Sequence, residues 1–421
     1  MRLILLDMFA SRHNFFPLAL GRPLWELRCG IRSLAEKLQA ACGATSAAGF
    51  TCDYLAAVAR TESPFPVNDL SALEGDDLLL VNARVKPDAL AQWSAADTGE
   101  VVALAEDGEF LAARVTRDTT ATTDRATIED FLRHLALYLA PADPPECWEF
   151  AWNLVHANAH EITADFAAMR LHGQGRRLES GAVLRGSPGD LYLADTASVA
   201  PLSMLDTTGG PILIEHGAVI EPFTHVEGPC HVGPHTRLLG AKCRHGNSFG
   251  PNCRIGGEVE ESIFQGYANK AHEGFIGHAY VGEWVNLGAM TTNSDLRNDY
   301  AGVRVRLDDR GPLHTGMMKF GSLIGDHTKT SIGTLLNTGV YIGAFCMLAA
   351  AGELCPRFLP SFSTYIQGLV SESITREQFY RTAHLVLPRR QRAWTPEMET
   401  LWNAVYDITA ADRTTVDMFA A

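Results

Sequence analysis

The chain is 421 residues long, more than one core accommodates, and its 46% apolar and 20% charged residues are ordinary for a soluble globular protein. A net charge of −14 excludes a general binder of nucleic acid or of an anionic membrane surface, so a phosphorylated ligand must meet arginines and lysines gathered locally. The cysteines Cys29, Cys42, Cys52, Cys147, Cys230, Cys243, Cys253, Cys346 and Cys355 include no Cys-x-x-Cys pair and read as reduced thiols. No apolar run approaches the ~18 residues of a membrane span. Asp7 and Arg12 interrupt the apolar N-terminus, and the expected compartment is the cytoplasm.

Residues 2–6 read as a short buried strand ending at Asp7. Apolar residues at Leu24, Leu27, Ile31, Leu34 and Leu38 predict a helix over 24–38. Residues 77–82 and 101–104 read as further strands, and 130–139 and 148–171 as helices. Strands alternating with helices predict a Rossmann-like α/β domain with a mainly parallel sheet over residues 1–195.

From Ile212 the period changes. Ile214, Ile220, Val226, Val232 and Leu238 recur every six residues, and the pattern returns at Phe249, Ile255, Ile276, Val281, Leu287, Ile324, Ile332, Ile342 and Leu348. Six matches neither a helix nor ordinary strand alternation. It fits hexapeptide repeats coiling into a β-helix, with one inward aliphatic per short face, over residues 196–365. Two breaks are expected, at 257–275 and in a polar loop near 293–316. A helical extension over 366–421 follows, with helices opening at Thr375 and at Thr395-Pro396. It is expected to cap the open end of the coil or to pack on a neighbouring subunit.

Within the repeat, Asn269-Lys270-Ala271-His272-Glu273-Gly274-Phe275-Ile276-Gly277 runs on to Val285-Asn286-Leu287-Gly288, setting a histidine, a lysine and an asparagine among aliphatic-glycine pairs. With Gly21-Arg22-Pro23, Glu26-Leu27-Arg28, Pro360-Ser361-Phe362 and Arg389-Arg390, this stretch resembles the bifunctional UDP-N-acetylglucosamine pyrophosphorylase/glucosamine-1-phosphate N-acetyltransferase family. The likeness is to a variant group whose N-terminal nucleotidyltransferase domain is atypical, and it implies that the hexapeptide coil is a left-handed parallel β-helix with an acyltransferase site.

The resemblance implies that His272 is the catalytic base and that Asn286 and Lys319 bind substrate. Imidazole suits the task, because an amino sugar's ammonium must lose a proton near neutral pH before it attacks the thioester of acetyl-CoA. Phe275 stands where the family has a tyrosine, Leu239 where it has a phosphate-binding arginine, and 258–262 lacks its lysine. Arg237, Arg254 and Lys270 are the basic alternatives for the phosphate.

In the N-terminal domain, Met8 and Ala10 replace the glycines that would let backbone N–H groups approach a triphosphate. Arg12, Arg22 and Arg28 are the nucleotide-binding candidates. Asn82-Ala83-Arg84 falls where an Asp would hold Mg²⁺, leaving Asp7 as another possible ligand. The implied partners are a sugar 1-phosphate, a nucleoside triphosphate, acetyl-CoA and two further copies of the chain in a homotrimer. Two alternatives stay open: a single-activity enzyme with one degenerate half, and a non-catalytic trimeric assembly or sensing protein.

Overall fold

A computed structural model describes residues 1–94, 99–123, 126–178, 181–308, 310–350 and 352–415. Contacts divide the chain into two compact units. One comprises Met1–Phe15, Gly21–Leu27 and Arg32–Glu149; the other comprises Phe16–Leu20, Arg28–Ile31 and the chain from Phe150 onward.

The α/β unit is built on β1 (Arg2–Asp7), α1 (Leu34–Cys42), β2 (Ser46–Thr51), α2 (Asp53–Glu62), β3 (Leu78–Asn82), β4 (Val101–Leu104), β5 (Phe110–Val115), α3 (Ile128–Tyr138) and β6 (Ala140–Pro141). The sheet order is β2-β1-β3-β5-β4-β6. It is parallel where β1 meets β2 and β3, and antiparallel on both sides of β5, so the sheet is mixed. Ile4, Leu6, Phe50, Leu78, Leu80, Ala113 and Val115 pack against Phe131 and Leu135 of α3.

The helix expected over 24–38 begins only at Leu34, where Ser33 and Glu36 form a capping box. Gly30 explains the difference. Its φ is +82°, and a side chain there would lie 2.7 Å from the Glu161 backbone, so the chain turns instead of coiling.

The second unit is a parallel β-helix with three faces. The first face has six strands running from Val183–Arg185 to Phe275–Gly277, and the second has nine, from Leu191–Leu193 to Phe358–Leu359. The third begins at Ser198–Val199 and continues to Leu369–Ser371. Ile214, Ile220, Val226, Val232 and Leu238 are all fully buried along the axis, as the period of six requires. Helix α4 (Ala151–Ala168) lies on the second face, where Asn158 Nδ2 donates to Gly246 O at 2.8 Å and Ser248 Oγ to Asn158 Oδ1 at 3.0 Å.

Two repeat assignments need correction. Residues 257–275 are not a break but regular coil, with Val259 and Phe264 inward. The pattern is masked because Lys270 fills an inward position in register with Ile255. Ile332 is 76% exposed at a corner, and Leu336 takes the buried place. The other interruption is an insertion over 294–321. It carries a hairpin of Arg304–Arg306 with Pro312–His314, closed by an antiparallel bridge between Leu296 and Lys319.

The corner between the second and third faces carries Tyr267, Trp284, His327, Phe345 and Phe362, all at φ between 53° and 62°. Stacking offsets this left-handed strain. Neighbouring rings lie 4.5, 6.3, 4.4 and 5.1 Å apart and within 15° of parallel. Helices α5 (Arg376–Val386) and α6 (Pro396–Ile408) pack along this column through Phe379, Tyr380, Trp402 and Tyr406. No helix among the described residues is long and apolar enough to cross a membrane.

Candidate functional site

On the third face, Arg237, Arg254, Asn269, Asn286 and Lys329 occupy one column, each in register with the next. The expected residues Arg237, Arg254 and Asn286 are thus brought into line. Asn269 and Lys329 were not among the sequence candidates. Their signal is positional, since each stands one residue before an inward rung (Lys270, Thr330) as Asn286 stands before Leu287. Asn269 Nδ2 donates to Asn286 Oδ1 at 2.6 Å.

The column ends in a pocket of about 290 Å³ lined by Tyr267, Trp284, Asn286, Lys329, Arg389 and Arg390, among others. Lys329 Nζ donates to Trp284 O at 2.9 Å and His327 O at 3.3 Å, and burial presses its pKa down to about 8. Arg254 is held below its ordinary value by burial and by the like charges of Arg390 and Arg237. Burial and Arg389 do the same to Arg390. Cations that depress one another next to a recess are poised for an anion.

His272 stands exposed on the corner between the third and first faces, three residues after Asn269. Beneath it, Lys270 runs inside the coil and donates from Nζ to Gly256 O at 2.7 Å and to His272 O at 3.0 Å. Burial lowers its pKa to about 8, so this lysine holds the corner from within and does not face a ligand on the surface. Gly274 closes the corner at φ +127°, with Thr291 O only 2.2 Å from where a Cβ would sit.

Lys319, at the base of the insertion, ion-pairs with Glu260 on the first face at 3.2 Å. Its partial burial works against the charge, but the Glu260, Asp295 and Glu261 carboxylates outweigh it and raise the pKa. Asn286, His272 and Lys319 therefore stand on the third face, on the corner and against the first face respectively. Beside Lys319 runs a polar ladder on the next corner, one member per coil: His245, Glu261, His278 and Asp295. Glu261 bonds His245 at 2.6 Å and His278 at 3.0 Å, and His278 Nδ1 bonds Asp295 at 2.8 Å. Burial opposes the His278 charge, yet Asp295 and Glu261 raise its pKa to about 9. Glu261 is drawn down to about 2, chiefly by its bond to His278.

In the α/β unit Arg12 is 5% exposed. Its Nε pairs with Asp7 at 3.1 Å, Nη1 donates to Tyr54 at 2.8 Å and Nη2 to Arg22 O at 2.9 Å. Arg22 is buried beside it. Arg28 falls in the β-helical unit, where its backbone N–H donates to Tyr280 Oη at 2.8 Å. The residues do not fit a Mg²⁺ site. Asp7 faces the Arg12 guanidinium, and burial raises its pKa against that charge. Arg84, where a carboxylate would be needed, is paired with Glu109 and Glu149. Among the described residues no three His, Cys, Asp or Glu side chains are grouped to hold a metal.

Residues 3–172 match the family described as sugar nucleotidyl transferase. The bifunctional protein GlmU of Paracoccus denitrificans is 28% identical over 206 residues, covering 46% of this chain and 40% of its own. A bifunctional sugar-1-phosphate nucleotidylyltransferase/acetyltransferase of Sulfurisphaera tokodaii is 30% identical over 33% of this chain and 35% of its own. GlmU of Sphingopyxis alaskensis is 26% identical over 67% and 59% respectively. The chain thus spans less than two thirds of the length of these relatives. A UDP-N-acetylglucosamine acyltransferase structure from Francisella novicida aligns over 52% of this chain and 75% of that one, at 13% identity and a TM-score of 0.26.

Proposed function

We propose, for a chain whose likeness is to the GlmU-like bifunctional nucleotidyltransferase/acetyltransferases, that it works in sugar-nucleotide biosynthesis and transfers an acetyl group to an amino-sugar phosphate. The observation that carries this reading is the cation-lined pocket at the end of the Arg237–Lys329 column, on the third face, whose other corner bears His272. The phosphates and base of an acetyl-CoA-type donor suit Lys329, Arg389, Arg390 and the rings of Tyr267 and Trp284. His272 takes the proton from the acceptor's ammonium, the amine attacks the thioester carbonyl, and the C–S bond breaks. The imidazolium then returns its proton to the departing thiolate, and the excess N–H proton of the acylated nitrogen passes to solvent, leaving the amide and a free thiol. Lys319 meets the acceptor's negative charge.

The α/β unit is read as the sugar-1-phosphate nucleotidyltransferase half, with phosphate charge met by guanidinium. Trimer assembly is supported by the His272 edge itself, where Leu202, Phe223, Met290 and Ile332 are 66%, 75%, 59% and 76% exposed. The test is thiol release from acetyl-CoA over a panel of amino-sugar phosphates, with wild type and His272→Ala. The variant should be slower by ~10²–10⁴-fold, the range for a positioned base, with its melting curve unchanged. Equal rates would remove His272 from the reaction, and no thiol release from wild type with any acceptor would remove the function.

A further inference from the structure

The α/β unit holds an anion cradle that the reading above does not use. Four donors converge on the carboxylate of Glu109. Ser11 gives its backbone N–H at 3.2 Å and its hydroxyl at 2.6 Å. Asn82 gives its amide at 3.1 Å and Arg84 its Nε at 3.0 Å. The Glu109 side chain is only 8% exposed, so this is an enclosed contact and not a passing surface pair. One backbone N–H, one hydroxyl, one amide and one guanidinium around a single anion form a donor set that the oxygens of a phosphate also satisfy.

The position is telling. Ser11 follows β1, Asn82 ends β3, and Arg84 lies two residues beyond it. β1 is flanked by β2 on one side and β3 on the other, so the sheet winds outward in both directions from this point. Crevices beyond the carboxyl ends of strands at such a reversal are where open α/β sheets take ligands. Glu109 comes from elsewhere, the turn joining β4 to β5, which is tied by Gly108 N–H to Ala105 O at 2.9 Å and exposes Glu106, Asp107 and Gly108. A short exposed turn carrying one buried carboxylate can withdraw it without disturbing the strands behind.

We propose that Ser11, Asn82 and Arg84 form a phosphate subsite that the chain keeps closed with its own Glu109, and that a phosphoryl group enters by displacing that side chain. The proposal rests on reading this unit as phosphate-handling and adds its regulation. A tethered carboxylate competes at the high local concentration of any intramolecular partner, which sets wild-type affinity low. A phosphate brings more charge and a third acceptor oxygen to the same donors and prevails when abundant. Arg84 keeps its second contact, Nη1 to Glu149 at 2.8 Å, and so stays in place when Glu109 leaves.

The test is calorimetric titration of the full chain with inorganic pyrophosphate, with UTP and with glucosamine 1-phosphate. The proteins are wild type, Glu109→Gln, Glu109→Ala, and Glu109→Ala combined with Arg84→Ala. Both single variants should bind at least one of these ligands about tenfold or more tightly than wild type, and the added Arg84 change should abolish the gain. The ligand that gains most identifies the source of the phosphate. Unchanged or weaker binding in both single variants overturns the proposal, as does a gain that survives loss of Arg84. Failure of both variants to fold would make Glu109 a structural residue and overturn it too. A gain for pyrophosphate without any nucleotidyl transfer would keep the cradle and remove the nucleotidyltransferase reading. Nucleotidyl transfer with no gain in the variants would do the reverse.

Discussion

His278→Asn isolates the corner ladder. Asparagine tolerates the left-handed backbone that His278 adopts at φ 46°, so the change removes the charge with little added strain. The histidine sits 3.0 Å from Glu261 and 2.8 Å from Asp295, and together they move its pKa from 6.5 to about 9. At ~1.4 kcal/mol per tenfold change, that displacement corresponds to about 3 kcal/mol, counted once for the ion pair as a whole. Asparagine recovers part of the hydrogen bonding, leaving about 2 kcal/mol, or a loss on the order of 5 °C in melting temperature. The folded-state pKa lies above the ordinary one, so folding takes up protons. The contribution is complete below pH 6.5 and is lost as the pH rises through about 9. His245 within the ladder and Glu260 and Lys319 beside it remain in the variant. Thermal melts of both proteins from pH 6 to pH 10 should therefore converge at the alkaline end. A gap that stays constant over that range would mean that packing, not charge, is what His278 supplies.

Lys270→Met replaces a buried ammonium with an apolar chain of similar length. The wild-type lysine has a folded pKa near 8 against 10.5, so its stability should rise with pH between those values. The variant should lack that rise and melt higher at pH 7, by about 1–3 kcal/mol. It should also transfer acetyl groups more slowly, because the His272 carbonyl has lost its anchor; an unaltered melting profile from pH 7 to pH 10 would contradict this. Arg390→Ala should raise KM for acetyl-CoA about tenfold while leaving kcat near wild type, as expected for a residue that holds charge and moves no proton. A fall in kcat alone would take the donor out of this pocket. Ile332→Asp places a charge on the exposed apolar edge and should shift the mass from trimer to monomer in analytical ultracentrifugation. A trimer that persists would move the interface elsewhere.

The β-helix was legible because its buried aliphatics repeat at a spacing no other element uses. The same criterion failed at Lys270 and Thr330, where polar residues take inward positions; the first produced an imaginary break and the second concealed Lys329. In the α/β unit, Ser46–Thr51 reads SAAGFT, too poor in large apolar residues to announce a strand, although it pairs with β1 along its whole length. The helix placed at 24–38 had the right spacing, but the Gly30 turn is dictated by a backbone that approaches from more than a hundred residues away. Arg12 was legible as a cation near a strand end. That it spends its charge on Asp7 is a matter of burial, and no local pattern records it.

The column of aromatic rings has a consequence for how the coil finds its register. Inside, most rungs are valine, isoleucine or leucine, so away from exceptions such as Phe264 and Lys270 sliding the chain by a whole turn would cost the interior little. The corner breaks that degeneracy, because rings occupy it at Tyr267, Trp284, His327, Phe345 and Phe362, whereas a preceding coil offers Asn252. A chain displaced by one turn would set an asparagine against Trp284 and leave a ring without a neighbour. The column thus acts as a graduated scale on a sparsely marked rod, and the C-terminal helices, which pack along its rings, have one place on it to dock.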